Sequence, residues 1–288
     1  MLRDRLVRLL CAIGFVTAAA ISAASAVVET SAVVAPSAVV DRAFDSRALK
    51  RSVPYRVLLP DQYATGTARY PVLYLLHGYG GHFGNWIDHS KLAGYAGNRP
   101  LIIVMPEGAN SWYVDGANGE AWETYLTSDL VDEVDTTFRT TPTREGRMIA
   151  GLSMGGYGAI KAGLKHPELY GLVGSFSGAL DITRPGDVFD GEQKPDVMRI
   201  FGPIGSVVRQ SNDVYTLPGW AKPKQLPYFW IACGTADPWL EPNRELARLL
   251  KKSGAAYEYH ERPGGHDWEF WNWASQAFLA DPRVPNPR

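Results

Sequence analysis

Arg147-Met148-Ile149-Ala150-Gly151-Leu152-Ser153-Met154-Gly155-Gly156-Tyr157-Gly158-Ala159-Ile160 is the stretch whose reading decides the fold. Arg147 to Ala150 is short and apolar enough for a buried strand. Gly151 to Gly155 reads G-x-S-x-G, the pattern of a nucleophile elbow. Gly156 to His166 reads as a helix that stops at Pro167, with small residues that let it lie close to a sheet. A serine hydroxyl is a weak nucleophile until a base takes its proton. A sharp strand-to-helix turn presents such a serine where base and substrate can reach it. Gly151 and Gly155 suit the crowding of that turn. The plainer alternative, a Gly-rich turn with an incidental serine, does not account for strand, turn and helix all falling where the motif requires them.

Outward from the elbow, short apolar runs alternate with helical patterns. Strands are expected at Ser52–Leu59, Pro71–Leu76, Leu101–Met105, Leu172–Phe176, Tyr228–Cys233 and Tyr257–His260. Helices are expected at Leu126–Phe138, where Leu130, Val131, Val134 and Phe138 share a face, at Glu241–Lys252 and at Trp268–Leu279. This rhythm predicts a mostly parallel sheet covered on both faces. Ligands then bind at the carboxyl ends of its strands. Asp181 to Pro227 breaks the rhythm with six prolines and no clear strand, and reads as an insertion or lid at about 181–227.

The chain of 288 residues opens with a different pattern. Arg3, Arg5 and Arg8 precede the apolar stretch Leu9–Ala20, and Ala24-Ser25-Ala26 is a small-x-small cleavage site. Residues 1–26 therefore read as a secretory signal peptide. The stretch is short for a membrane span of ~20 apolar residues. Residues 27–45 read as a flexible leader or first edge strand, and residues 46–288 as one α/β domain. Removing Arg3, Arg5, Arg8 and Asp4 takes the formal charge from −1 to −3. No basic patch points to nucleic acid or an anionic membrane, and no stable membrane insertion is expected. Of two cysteines only Cys233 would remain, in an apolar run, as a core thiol.

Ser153 needs a base. His166 lies at the far end of the elbow helix and His260 within a strand. His77, His82 and His89 belong to an early loop, which fits an oxyanion loop better than a metal site because no carboxylate pattern adjoins it. His266 follows the last strand, in Pro263-Gly264-Gly265-His266-Asp267-Trp268, and is the expected base. Asp237 follows its strand directly and is the expected carboxylate partner, with Asp181 as rival. Pro238 also makes Asp237 a candidate helix cap. An oxyanion requires backbone N–H donors: Met154 supplies one, and the loop His77-Gly78-Tyr79-Gly80-Gly81 the other. Trp112, Tyr113, Trp239 and Trp268 fall in loops near the expected active face, as a platform for a sugar or a phenolic acyl group, or as core packing.

On Tyr74-Leu75-Leu76-His77-Gly78-Tyr79-Gly80-Gly81, Met105-Pro106-Glu107-Gly108, the elbow through Ala159, and Pro263–Trp268, the chain resembles the esterase D-like branch of the α/β-hydrolases. That branch includes feruloyl and acetylxylan esterases, tributyrin esterases, S-formylglutathione hydrolase and the antigen 85 mycolyltransferases. The resemblance implies the α/β-hydrolase fold, Ser153 as nucleophile, His266 as base, Asp237 as its carboxylate, and Tyr79 and Met154 as oxyanion donors. The mycolyltransferases use a glutamate as the acid, so Asp237 points toward the esterases. The expected function is a secreted or periplasmic serine esterase acting without cofactor on small-molecule or polysaccharide esters. An acyltransferase of the antigen 85 type and a non-catalytic carbohydrate-binding relative are the alternatives.

Overall fold

The computed structural model describes residues 38–96, 99–217 and 222–285. The expected signal peptide at 1–26 and residues 27–37 lie outside the described residues. An eight-stranded sheet runs in the order β1-β2-β4-β3-β5-β6-β7-β8. The strands are β1 Ala38–Ser46, β2 Arg51–Leu59, β3 Val72–Leu76, β4 Ile102–Pro106, β5 Arg147–Leu152, β6 Leu172–Phe176, β7 Tyr228–Gly234 and β8 Tyr257–Arg262. β1 and β2 pair antiparallel and β2 joins β4 antiparallel; every other pairing is parallel. The stretch read as leader or edge strand thus contributes β1, on the sheet margin.

Both faces of β3, β4 and β6 are buried, as are those of β5 and β7 beyond their first residue, so these strands read as largely apolar runs, whereas the edge strand β8 is partly exposed and polar. Side chains alternate between two cores. Val72, Tyr74, Leu76, Ile149, Val173, Phe229 and Ile231 face one. Leu73, Leu75, Met148, Ala150, Leu172, Trp230 and Ala232 face the other. The second core is closed by α1 (Asn85–Asp88), α2 (Leu92–Ala96) and, at the end of the chain, the helix Trp268–Leu279, through Trp86, Leu92, Phe270, Ala274 and Phe278.

The first core is closed by helices of the chain's middle. The helix expected at Leu126–Phe138 begins earlier, as α3 (Trp122–Thr124), widens into a π turn at Tyr125–Asp129 and continues as α4 (Leu130–Thr137). Its start is held by Asp115, whose carboxylate accepts the N–H groups of Glu123 (2.8 Å) and Thr124 (2.9 Å). The elbow helix α5 (Met154–Lys165) follows β5. The 181–227 stretch contains α6 (Pro195–Phe201) and α7 (Val207–Ser211). Ile182, Val197, Phe201 and Val214 anchor it in the first core. Then come α8 (Leu240–Ser253) and α9 (Trp268–Leu279).

α5 is pinned from behind by a buried ionic cluster. Glu123 receives Lys161 Nζ at 2.5 Å, Lys165 Nζ at 2.8 Å and His166 Nε2 at 2.9 Å. Lys161 also donates to the Tyr113 carbonyl at 2.6 Å. Burial by itself would raise the Glu123 carboxyl, but the Lys161 charge, then His166 and Lys165, outweigh it and hold the carboxyl well below its usual range. Its folded value lies below the unfolded one of about 4.3. The stability it contributes is therefore present above that value and lost as pH falls further. Glu123→Gln leaves Lys161 buried without its counter-charge and should cost about 3–5 kcal/mol at pH 7. Urea unfolding at pH 7 and pH 3 checks this: the difference from wild type should shrink at pH 3, and a difference that is the same at both would contradict the assignment.

Candidate active site

β5 delivers Ser153 to the carboxyl edge of the sheet, and α5 starts at the next residue. Ser153 has φ 53° and ψ −118°, a conformation that L-residues avoid. The turn holds because its surroundings determine it: Ser153 N–H donates to the Phe176 carbonyl (3.0 Å), and its own carbonyl accepts Tyr157 N–H (3.0 Å) and Ala179 N–H (3.1 Å). Close backbone contact explains both motif glycines. A Cβ on Gly151 would stand 2.5 Å from the Gly155 carbonyl carbon, and one on Gly155 would stand 2.6 Å from the carbonyl oxygens of Leu76 and His77.

Three side chains converge here. His266 Nε2 lies 2.9 Å from Ser153 Oγ, and His266 Nδ1 lies 3.0 Å from Asp237 Oδ2. A buried carboxylate accepting from Nδ1–H leaves the Nε2 lone pair free for the serine hydroxyl. The other oxygen of Asp237 accepts the Trp239 N–H at 2.9 Å. The aspartate therefore also steadies the approach to α8, although Trp239 itself is the cap residue. Asp267 caps α9 by accepting Phe270 N–H at 2.9 Å, which fixes the chain next to His266. Asp181, the rival carboxylate, accepts Val188 N–H at 2.8 Å instead, and burial pushes its carboxyl up. His166 sits on Glu123, and His260 packs against the Trp230 ring with centroids 4.7 Å apart.

The loop after β3 is built for close approach. Gly78 lies against Leu152 and Ser153, and Gly80 has φ 74° while its N–H donates to Asn110 Oδ1 at 2.7 Å. Buried His77 holds the loop: Gly108 N–H donates to Nε2 at 2.9 Å, which places the ring proton on Nδ1, 2.8 Å from the Gly78 carbonyl. Tyr79 follows on this loop and Met154 follows Ser153. A cavity of about 340 Å³ opens between the loop, Ser153, His266 and Trp268. Among the described residues no group of three or more His, Cys, Asp or Glu side chains is arranged to hold a metal ion.

This geometry accompanies a clear kinship. The family model described as "Putative esterase" matches residues 46–280. The chain belongs to the esterase family. This esterase is 30% identical over 244 residues to an acetyl esterase of Caldicellulosiruptor saccharolyticus, covering 80% of this chain and 92% of that one. It is 27% identical to a diacylglycerol acyltransferase/mycolyltransferase of Mycobacterium leprae, covering 73% and 74%. Among solved structures it is similar to a fluorophosphonate-binding serine hydrolase of Staphylococcus aureus, with TM-score 0.78, 25% identity and coverage of 87% and 100%.

The four aromatics expected near the substrate divide. Trp268 is partly buried and lines the cavity. Trp239 is buried, with its ring centroid 4.4 Å from that of His266. Trp112 and Tyr113 are a correction: they are 1% and 0% exposed and belong to the core, not to a substrate platform. Both have positive φ (55° and 54°), in the reversal that carries them into the first core. There Trp112 meets Phe189 and Tyr157, and Tyr113 donates from its hydroxyl to the His77 carbonyl at 3.1 Å. Sequence reasoning missed Glu123 and Trp271, whose ring stands edge-on to His266 at 4.9 Å. Lys161, Lys165 and His166 crowding one helix end was a signal for a buried carboxylate. No comparable pattern marked Trp271.

Gly151→Ala should destabilise this esterase by about 1–3 kcal/mol, the usual cost of overpacking. The urea midpoint reports it; an unchanged midpoint would mean that the elbow yields where the contacts say it is rigid.

Proposed function

We propose that this esterase is a serine carboxylic-ester hydrolase that works through an acyl-enzyme. His266 takes the proton of Ser153 as its oxygen attacks the ester carbonyl. Asp237 keeps the imidazole oriented and stabilises its charged form. The N–H groups of Tyr79 and Met154 receive the oxyanion. His266 then protonates the departing alcohol, and a water activated by the same imidazole releases the acid. The observation that carries the reading is the unbroken hydrogen-bonded chain from buried Asp237 through His266 to Ser153 on its strained turn.

Carbohydrate and phenolic esters are the proposed substrates. The acetyl esterase relative and the aromatic wall beside Ser153 support them. The basic start, apolar run and Ala24-Ser25-Ala26 support export to a secreted or periplasmic location. Purified protein lacking residues 1–26 should hydrolyse p-nitrophenyl acetate and at least one of methyl ferulate and acetylated xylan. Ser153→Ala should lower kcat by at least about 10⁴-fold, since loss of the nucleophile removes most of the rate enhancement. Substantial turnover by a clean Ser153→Ala sample would refute the mechanism.

A further inference from the structure

The cavity beside Ser153 holds a polar side chain that the acyl-transfer steps leave unused. Asn85 opens α1, lines the cavity and is only 9% exposed. Its amide can face only one way. Oδ1 accepts the His82 N–H at 2.8 Å, so the oxygen must point at the loop backbone and the NH₂ group away from it; the reverse would set donor against donor. Gly81 permits this arrangement, because a Cβ there would stand 2.4 Å from Asn85 Oδ1. Among the described residues no protein acceptor meets Asn85 Nδ2. Nδ2 is not one of the fully buried unpartnered atoms, so this donor stands open to the cavity that Asn85 lines. One turn further, the exposed His89 donates its backbone N–H to the Asn85 carbonyl at 2.9 Å, and its ring centroid lies 5.5 Å from that of Trp268.

Which part of an ester enters this cavity follows from the chemistry. His266 must hand a proton to the departing alcohol, so the alcohol lies on the His266 side of Ser153. His266, Trp268 and Trp271 share the cavity with Asn85. A ring alcohol there meets an aromatic face and a directed donor at once. We propose, resting on the hydrolase reading above, that Asn85 Nδ2 donates a hydrogen bond to a hydroxyl oxygen of the alcohol part while Trp268 covers its carbon face. Asn85 thereby selects esters of polyhydroxylated rings over esters of plain carbocycles.

The test compares kcat/KM for xylose monoacetate and for cyclohexyl acetate in wild type and Asn85→Asp. The aspartate keeps an oxygen for the His82 N–H and replaces the donor by an acceptor. Wild type should prefer the sugar ester, and Asn85→Asp should reduce that preference about tenfold or more, as expected when a site built to donate a hydrogen bond loses its donor. Asn85→Ala, smaller and uncharged, is the second variant and should shift the ratio in the same direction. A purely structural role would lower both rates together and leave the ratio where it was, which overturns the proposal. So would a wild type with no preference for the sugar. If these results come with Ser153-dependent turnover of p-nitrophenyl acetate, the hydrolase reading stands and only the role of Asn85 falls; if no ester is turned over, both fall.

Discussion

The contact on which the rest depends is between backbones: the Cα of Gly155 against the carbonyl oxygens of Leu76 and His77. It joins the end of β3, which launches the Gly78–Gly81 loop, to the first turn of α5, which follows Ser153. No side chain fits between them. Gly151 makes the matching contact from the strand side. Close packing of this kind turns a strained serine into a rigid one, since the cost of its φ is offset by contacts the relaxed conformation would lose. It also sets the distance between Ser153 and the N–H groups proposed to receive the oxyanion.

A second tether runs through the core beneath the site. Tyr113 donates from its hydroxyl to the His77 carbonyl, and its own carbonyl accepts Lys161 Nζ. Lys161 lies on α5 and is neutralised by Glu123 at the start of α3. Burial pulls the Lys161 ammonium below its usual range, and the Glu123 charge opposes that. A buried ion pair is weak evidence for added stability. Here its placement suggests a specificity role: it fixes how α5, α3 and the Trp112–Tyr113 reversal meet, and through Tyr113 it reaches the loop above Ser153. The 181–227 stretch reaches the same loop, with Phe189 against the Tyr79 ring and Asp196 accepting the Tyr79 hydroxyl.

Most of the sheet was legible in the sequence, because strands buried on both faces have no choice but to be apolar throughout. The convergence of Ser153, Asp237 and His266 was legible for a related reason. Each follows a recognisable strand, and parallel strands bring their carboxyl ends to one edge. Asp237 and Asp181 looked alike by that criterion; the fold separates them because the turn after β7 aims Asp237 at the β8 loop, while Asp181 is taken up by the N–H of Val188. What stayed hidden depends on remote partners. The start of α3 is set by Asp115 rather than by a cap adjacent to the helix. Trp112 and Tyr113 stayed open between a substrate platform and core packing because nothing in their sequence announces the consecutive positive φ angles that carry them into the core. The insertion resisted reading because its helices are too short to show a period.

The most direct test of the central claim is a crystal structure of the protein after reaction with a fluorophosphonate. The account predicts a covalent bond from Ser153 Oγ to phosphorus, with the phosphoryl oxygen about 2.7–3.1 Å from both the Tyr79 and Met154 N–H groups. Phosphorus on another residue, or a phosphoryl oxygen turned away from those two donors, would contradict it.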